Sequence, residues 1–372
     1  MRALGGAAGL VLLAVVLWDA FETIVLPRRV SRRFRLTRMF YRATWRPFAA
    51  GARWVRAVNR REAYLSFYGP LSLLLLIGLW AAGLIVAFAL LHYAAGSAVD
   101  LAGERPRLLV DLYLSSTTFF TLGLGDVVPH SWRARGLTAV EGGMGFGFLA
   151  LVIGYFPIIY QAFSRREASI SLLDARAGSP PSAAELLRRH QGEAGLTALE
   201  TLLRDWEQWS AELLETHLSY PLLAYYRSQH TNQSWLAALT TVLDASALVM
   251  VGVEGACARQ ARLTFAMARH AVVDLAQVFR TPPAVPAEDR LPHAVLARLR
   301  QELRTAGLPL AEGAVVEGRL AELRRLYEPY AIALSAYLLQ PLPAWHQPDR
   351  RRDNWETSAW TREEAREDDL SA

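Results

Sequence analysis

The sequence predicts an all-α membrane protein: transmembrane helices, a re-entrant helix and loop between two of them, and a helical water-soluble domain after them. Three observations predict this. Three apolar runs, at about 3–26, 66–91 and 136–163, each reach the ~20 residues that a helix needs to cross a bilayer. A shorter apolar stretch, 108–129, lies between the second and third and is read as re-entrant rather than spanning. Past residue 163 the apolar residues recur with helical spacing, and nowhere does the period of two that marks a strand appear. A mean hydropathy of +0.15 with 52% hydrophobic residues fits such a mixed chain.

The first run, in segment 1–26, could be a secretory leader. It carries Arg2 and an apolar core but lacks a small-x-small cleavage site and ends on two acids, so a retained helix is expected. Those acids, Asp19 and Glu22, are spaced i, i+3 and share one face. They are expected to face protein or inner headgroups and to pair with Arg28 or Arg29.

Segment 27–63 follows. All 40 basic residues of the chain are arginine, and twelve of them fall in this segment against one acid, Glu62. It therefore carries +11, while the whole chain carries +5. The basic pI belongs to one tract, and a nucleic-acid partner is not expected. Aromatic residues (Phe34, Phe40, Tyr41, Trp45, Phe48, Trp54) interleave with the arginines from Arg28 to Arg61. That pattern suits a helix lying among anionic lipid headgroups, and equally a basic loop that fixes topology. Arginines of this density are retained in the cytoplasm. The N-terminus is then outside, the second helix runs outward and the third returns.

Segment 64–163 holds the second helix, the shorter stretch and the glycine-rich third helix. With this topology the connection between helices two and three faces outward, and its apolar stretch must re-enter the membrane. Irregular backbone at that depth is tolerated only when buried in protein or lining a water-filled path.

Segment 164–340 reads as a soluble helical domain. Residues 178–181, Gly-Ser-Pro-Pro, read as a linker. Helical runs are expected over about 183–217, 232–279 and 291–339. The stretch 235–256 is apolar enough to imitate a fourth membrane helix, but Asp244 interrupts it. A charge at the bilayer centre costs on the order of 3 kcal/mol even on insertion scales, so a buried bundle helix is expected. Segment 341–372 reads as a charged tail, disordered beyond Trp360. The one cysteine, Cys257, excludes an internal disulfide framework and a cysteine-based zinc site.

The shorter stretch contains Ser115-Ser-Thr-Thr-Phe-Phe-Thr121-Leu-Gly123-Leu-Gly125-Asp126-Val-Val-Pro129. It resembles the T-x-x-T-x-G-x-G-D pore signature of potassium channels through Thr118, Thr121, Gly123, Gly125 and Asp126. The order of apolar helix, pore helix, filter and apolar helix over about 66–163 is similar as well. The resemblance implies a homotetramer with potassium bound at Thr121, Leu122, Gly123 and Leu124, and Asp126 at the outer mouth. It implies no cofactor beyond the permeant ion, and no enzyme activity is expected. Carbonyls of successive residues can face one way only with unusual φ/ψ values, which glycine adopts readily; carbonyl rings of this kind form the filter in such channels. Leu124 departs from the commoner Tyr or Phe and lacks the hydroxyl that braces a filter, which leaves a weakly selective cation channel as an alternative. A non-conducting membrane scaffold is a second alternative. Gly145 is a candidate gating hinge or a close-packing position. Glu141, one turn outward, is expected either to support the filter or to bond a pore-helix threonine.

No membrane segment carries the three-residue arginine spacing of a voltage sensor. No G-x-G-x-x-G follows a strand, and no P-loop or H-E-x-x-H motif occurs.

Overall fold

The computed structural model describes residues 2–26, 35–96, 107–230, 232–253, 255–286, 288–347 and 353–356. Arg28, Arg29, Arg32, Arg33 and everything beyond 356 lie outside the described residues, so the expected pairing with Arg28 or Arg29 and the expected disorder beyond Trp360 do too. Every regular element among the described residues is helical: α1 (Arg2–Ala20), α2 (Leu36–Trp54), α3 (Val58–Ser66), α4 (Tyr68–Ala95), α5 (Arg107–Phe119), α6 (Trp132–Ala177), α7 (Ala183–Arg189), α8 (Gly192–Ser219), α9 (Trp235–Gly252), α10 (Ala256–Phe279), α11 (His293–Thr305), α12 (Ala314–Arg325) and α13 (Glu328–Leu338). The chain is an all-α membrane protein.

It forms two compact units. The first comprises Met1–Trp54 and Phe67–Gln161, the second Val55–Ser66 and Ala162–Ala372. The arginine-rich segment, read from sequence as one piece, is therefore divided between them, and α3 belongs to the second.

In the first unit α1 lies along α4. Val16 is buried in a cluster with Leu76, Trp80, Ala81, Leu84, Ile85 and Phe119. Small residues permit this close approach: a Cβ at Gly9 would stand 2.8 Å from the Ala87 carbonyl oxygen. The helix ends in a π-helical turn, Phe21–Val25. Asp19 is buried there and accepts hydrogen bonds from Thr37 N at 3.1 Å, from the Thr37 hydroxyl at 2.6 Å and from Trp80 Nε1 at 3.0 Å. It thus ties α1 to the start of α2 and to α4. Glu22 accepts from Trp18 Nε1 at 2.6 Å and pairs with Arg35 at 3.4 Å. α2 turns Trp45 and Phe48 onto the Tyr68 ring, at 4.8 and 5.0 Å between centroids, and leaves Arg42, Arg46 and Arg53 exposed.

In the second unit α9 is the central helix, packed among α7, α8, α10, α12 and α13 and buried from Trp235 to Val249. Among the described residues four helices are long and apolar enough to cross a membrane, α9 among them, yet α9 is buried on nearly every side. Its Asp244 anchors the connection before α11. Arg290 donates to it at 2.8 Å, Tyr327 donates its hydroxyl, and Arg290 also reaches Glu328 and the Pro343 carbonyl, both at 2.8 Å. Within α3, Glu62 pairs at 3.3 Å with Arg227, which also donates to the Leu338 and Leu339 carbonyls at the end of α13.

Two expectations need correction here. Residues 178–181 are a buried turn rather than a linker: Gln347 donates to the Pro180 carbonyl at 2.6 Å, and Ser182 caps α7 by accepting from Glu185 N. Residues 341–347 and 353–356 also belong to the folded domain. Trp345 is fully buried, its carbonyl accepts from Ala184 N at 3.0 Å, and Asp353 pairs with Arg189 at 2.8 Å.

Candidate pore

α5 carries its apolar residues inward, with Val110, Leu114 and Phe119 buried. Its last turn feeds a loop whose amides cap the helix end: Thr121 N donates to the Thr118 carbonyl at 2.9 Å, and Leu122 N to the Thr117 carbonyl at 2.8 Å. The capping leaves Thr121, Gly123 and Gly125 with positive φ, +57°, +55° and +79°, while Leu122 and Leu124 stay outside that region. Every second residue is therefore left-handed. Such alternation rotates successive peptide planes toward a common side, which an ordinary strand cannot do. Glycine adopts this φ without penalty. Thr121 is β-branched, so there the conformation is strained.

All of residues 121–126 are exposed in the single chain. The side chains of Leu122 and Leu124 are among the exposed large apolar groups, as is Phe120. Asp126 is held at the far end of the loop by the Tyr113 hydroxyl of α5, which donates to it at 2.8 Å.

Behind the loop, α6 approaches α5 closely. A Cβ at Gly145 would overlap the Phe119 carbonyl, and Thr118 faces Gly142 across the same contact. α6 continues as an unbroken helix through 145, so the contact visible at Gly145 is one of packing. Glu141, one turn earlier, is fully buried. The Ser115 hydroxyl of α5, not a threonine, donates to one of its oxygens, and His92 Nε2 of α4 lies 3.1 Å from the other. Ser115 also stands 2.7 Å from the Ile85 carbonyl. Sequence reasoning singled out Glu141, Gly145 and Thr118 but missed Tyr113, Ser115, His92 and Asp111. A histidine near the end of an otherwise apolar 28-residue helix was the available signal.

The structure thus brings Thr118, Glu141 and Gly145 together behind the α5 end, and places residues 121–126 beyond it. Among the described residues no group of three His, Cys, Asp or Glu side chains is placed to hold a metal ion.

Residues 75–162 match the sequence model of a family described as "Ion channel". No curated protein and no solved structure matches the chain. The matched stretch, about a quarter of the chain, runs from α4 through α5 and its loop into α6, so the capped helix, the alternating backbone and the helix behind them lie within the part of the chain that is similar to ion channels.

Proposed function

We propose that the chain is one subunit of a homotetrameric, potassium-selective channel of a bacterial-type inner membrane. The alternation of left-handed φ at Thr121, Gly123 and Gly125 carries this reading. A dehydrated cation needs oxygen ligands on all sides, and a chain with this backbone can offer a row of carbonyls from one strand. Four copies about an axis close the ring. Thr121, Leu122, Gly123 and Leu124 are the potassium ligands, with the Thr121 hydroxyl added to the carbonyls. Gly125 ends the row, and Asp126 draws cations to the mouth. The C-terminal end of α5 carries the negative pole of its helix dipole, favourable to a cation beyond it. Thr118, Gly145 and Glu141 support the loop from behind.

In this reading the N-terminus is outside and the domain from 164 on is cytoplasmic, because arginines cluster on the side where α2 lies. The exposed arginines of α2 meet anionic headgroups. A weakly selective cation channel is the second reading. The exposed aliphatic Leu124 favours it, since that side chain has no polar atom with which to brace the loop. Liposomes holding the purified protein separate the two. Potassium flux at least ~10-fold above sodium flux supports a filter of the carbonyl type; equal fluxes support the second reading, and no flux contradicts both.

A further inference from the structure

α6 does not stop where its apolar run does. It continues unbroken past residue 163 into the second unit, and its first turns there lie beside the C-terminal half of α8. Between the two helices is a cleft of about 280 Å³, close to the ~300 Å³ at which small-molecule sites begin. Ala162, Arg165 and Arg166 line it from α6, and Trp209, Glu212 and Glu215 line it from α8. Trp209 is buried, its ring packed on Trp206 at 4.4 Å between centroids, and gives the cleft an aromatic surface.

The charges of the cleft are unequally satisfied. Arg166 is buried and occupied by Glu167 at 2.9 Å and by the carbonyls of Leu223 and Tyr226 at 2.8 and 2.9 Å. Arg165 is exposed, with no hydrogen-bond or ion-pair partner among the described residues. Glu212 and Glu215 are exposed as well. Their donors are neutral: Gln208 Nε2 at 3.0 Å for Glu212 and the Ser219 hydroxyl at 3.4 Å for Glu215. The cleft therefore offers an unneutralised guanidinium on one wall and two unneutralised carboxylates on the other. An occupant that matches it carries an anion and a hydrogen-bonding cation on one apolar body. Location narrows the class. The apolar run of α6 ends at about residue 163, so Ala162 and Arg165 stand where the helix leaves hydrocarbon for headgroups, the level that tryptophan also favours.

Resting on the reading above, in which α6 spans the membrane and enters the cytoplasm at this point, we infer that the α6–α8 cleft binds phosphatidylethanolamine of the cytoplasmic leaflet. Arg165 takes the phosphate, which suits the donor fork of a guanidinium. Glu212 and Glu215 accept from the primary ammonium, whose hydrogen bonds to carboxylates are charge-assisted. The glycerol and the start of the acyl chains lie against Trp209 and Ala162. Phosphatidylcholine has no N–H to give the glutamates, and phosphatidylglycerol brings them no cation at all. Selection among lipids thus follows from the headgroup.

Trp209 reports on its own site. The purified full-length protein is reconstituted in phosphatidylcholine vesicles, and rising fractions of that lipid are replaced by phosphatidylethanolamine, phosphatidylcholine or phosphatidylglycerol brominated on the acyl chains near the glycerol. Bromine quenches tryptophan fluorescence, and the difference between wild type and Trp209→Phe isolates the signal of Trp209. Phosphatidylethanolamine should half-quench that signal at a mole fraction at least about threefold lower than the other two lipids, a factor within the reach of one or two exposed ion pairs. Arg165→Gln, and Glu212→Gln together with Glu215→Gln, should each abolish the preference. Glu212→Lys with Glu215→Lys should turn it toward phosphatidylglycerol. These side chains are exposed, so the variants should fold as the wild type does. Equal quenching by the three lipids, a wild-type preference for phosphatidylglycerol, a preference that the variants retain, or no quenching of Trp209 overturns the inference. Potassium flux from the same vesicles tests the channel reading separately: absence of flux strikes that reading, whereas loss of lipid preference alone leaves it standing.

Discussion

Asp244 and His217 show what single buried ionisable groups do in the helical domain. Burial pushes the Asp244 carboxyl up from its usual range, and Arg290 and Tyr327 work against that by bonding the charged form. Replacing Asp244 with alanine leaves Arg290 buried with Glu328 as its remaining acid. The expected cost is about 3 kcal/mol, read as a lower unfolding temperature of the purified protein. His217 is driven well below the ordinary histidine pKa, first by burial and then by the Arg166 guanidinium. Arg166 Nη1 lies 3.2 Å from its Nε2, and its Nδ1 lies 2.9 Å from the Leu213 carbonyl, so the ring is neutral with the proton on Nδ1. The unfolded chain binds a proton at His217 below about pH 6.5 and the folded one does not. Stability contributed by this site is therefore present above about pH 6.5 and falls as the pH drops toward the folded pKa, by on the order of 1 kcal/mol per unit. Chemical unfolding at pH 7.5 and 5.5 should show this loss, and His217→Gln should reduce it. Asp244 was legible in the sequence because a charge inside an apolar run is conspicuous. His92 was not, because its partner Glu141 is 49 residues away and only the packing of α4 on α5 and α6 makes the pair.

Among the elements, the contact of α6 with the end of α5 is the tightest near the pore. A methyl at Gly145 has no room beside the Phe119 carbonyl, and both partners are helix backbone, which yields little. Gly145→Ala is expected to destabilise the pore module by about 1–3 kcal/mol, the usual cost of overpacking, and to lower potassium flux. Gly143→Ala, with open space at the same helix level, should leave stability unchanged in thermal unfolding of the detergent-solubilised protein. Run length made α1, α4 and α6 legible, and the short apolar stretch with its T-x-x-T-x-G-x-G-D pattern made α5 and the loop legible. The breaks inside the helical domain were not. Helical spacing continues across His190–Gln191 and across the turn before α10, so only the caps mark the ends. Residues 178–181 have the composition of an exposed linker, and the hydrogen bond that Gln347 donates into that turn comes from far along the chain. Glu62 of α3 likewise pairs with Arg227, a partner that sequence proximity does not indicate.

At the scale of the whole molecule, charge and backbone each have a distinct part. In the proposed reading the exposed arginines of α2 attract an anionic surface, at about 1 kcal/mol per residue near the headgroups. Changing Arg42, Arg46 and Arg53 together to glutamine should weaken association with vesicles rich in anionic lipid, and the difference should shrink at high salt. Equal association with and without these arginines would leave the stripe with no lipid role. Ion selection, by contrast, belongs in the proposed channel to backbone conformation at three positions, repeated in each of four subunits. Gly123 has positive φ and no neighbour within 4 Å of a Cβ in its own chain. An alanine there meets no obstacle inside the subunit and pays a conformational cost on the order of 1 kcal/mol, repeated four times about one axis. The membrane helices and the helical domain do not depend on this residue, so the protein should still assemble. The measurement is the potassium-to-sodium flux ratio of Gly123→Ala in liposomes, with the assembly sized in detergent. The account predicts an intact tetramer whose potassium selectivity is lost or whose flux is abolished; a tetramer of Gly123→Ala that passes potassium with the wild-type ratio would contradict it.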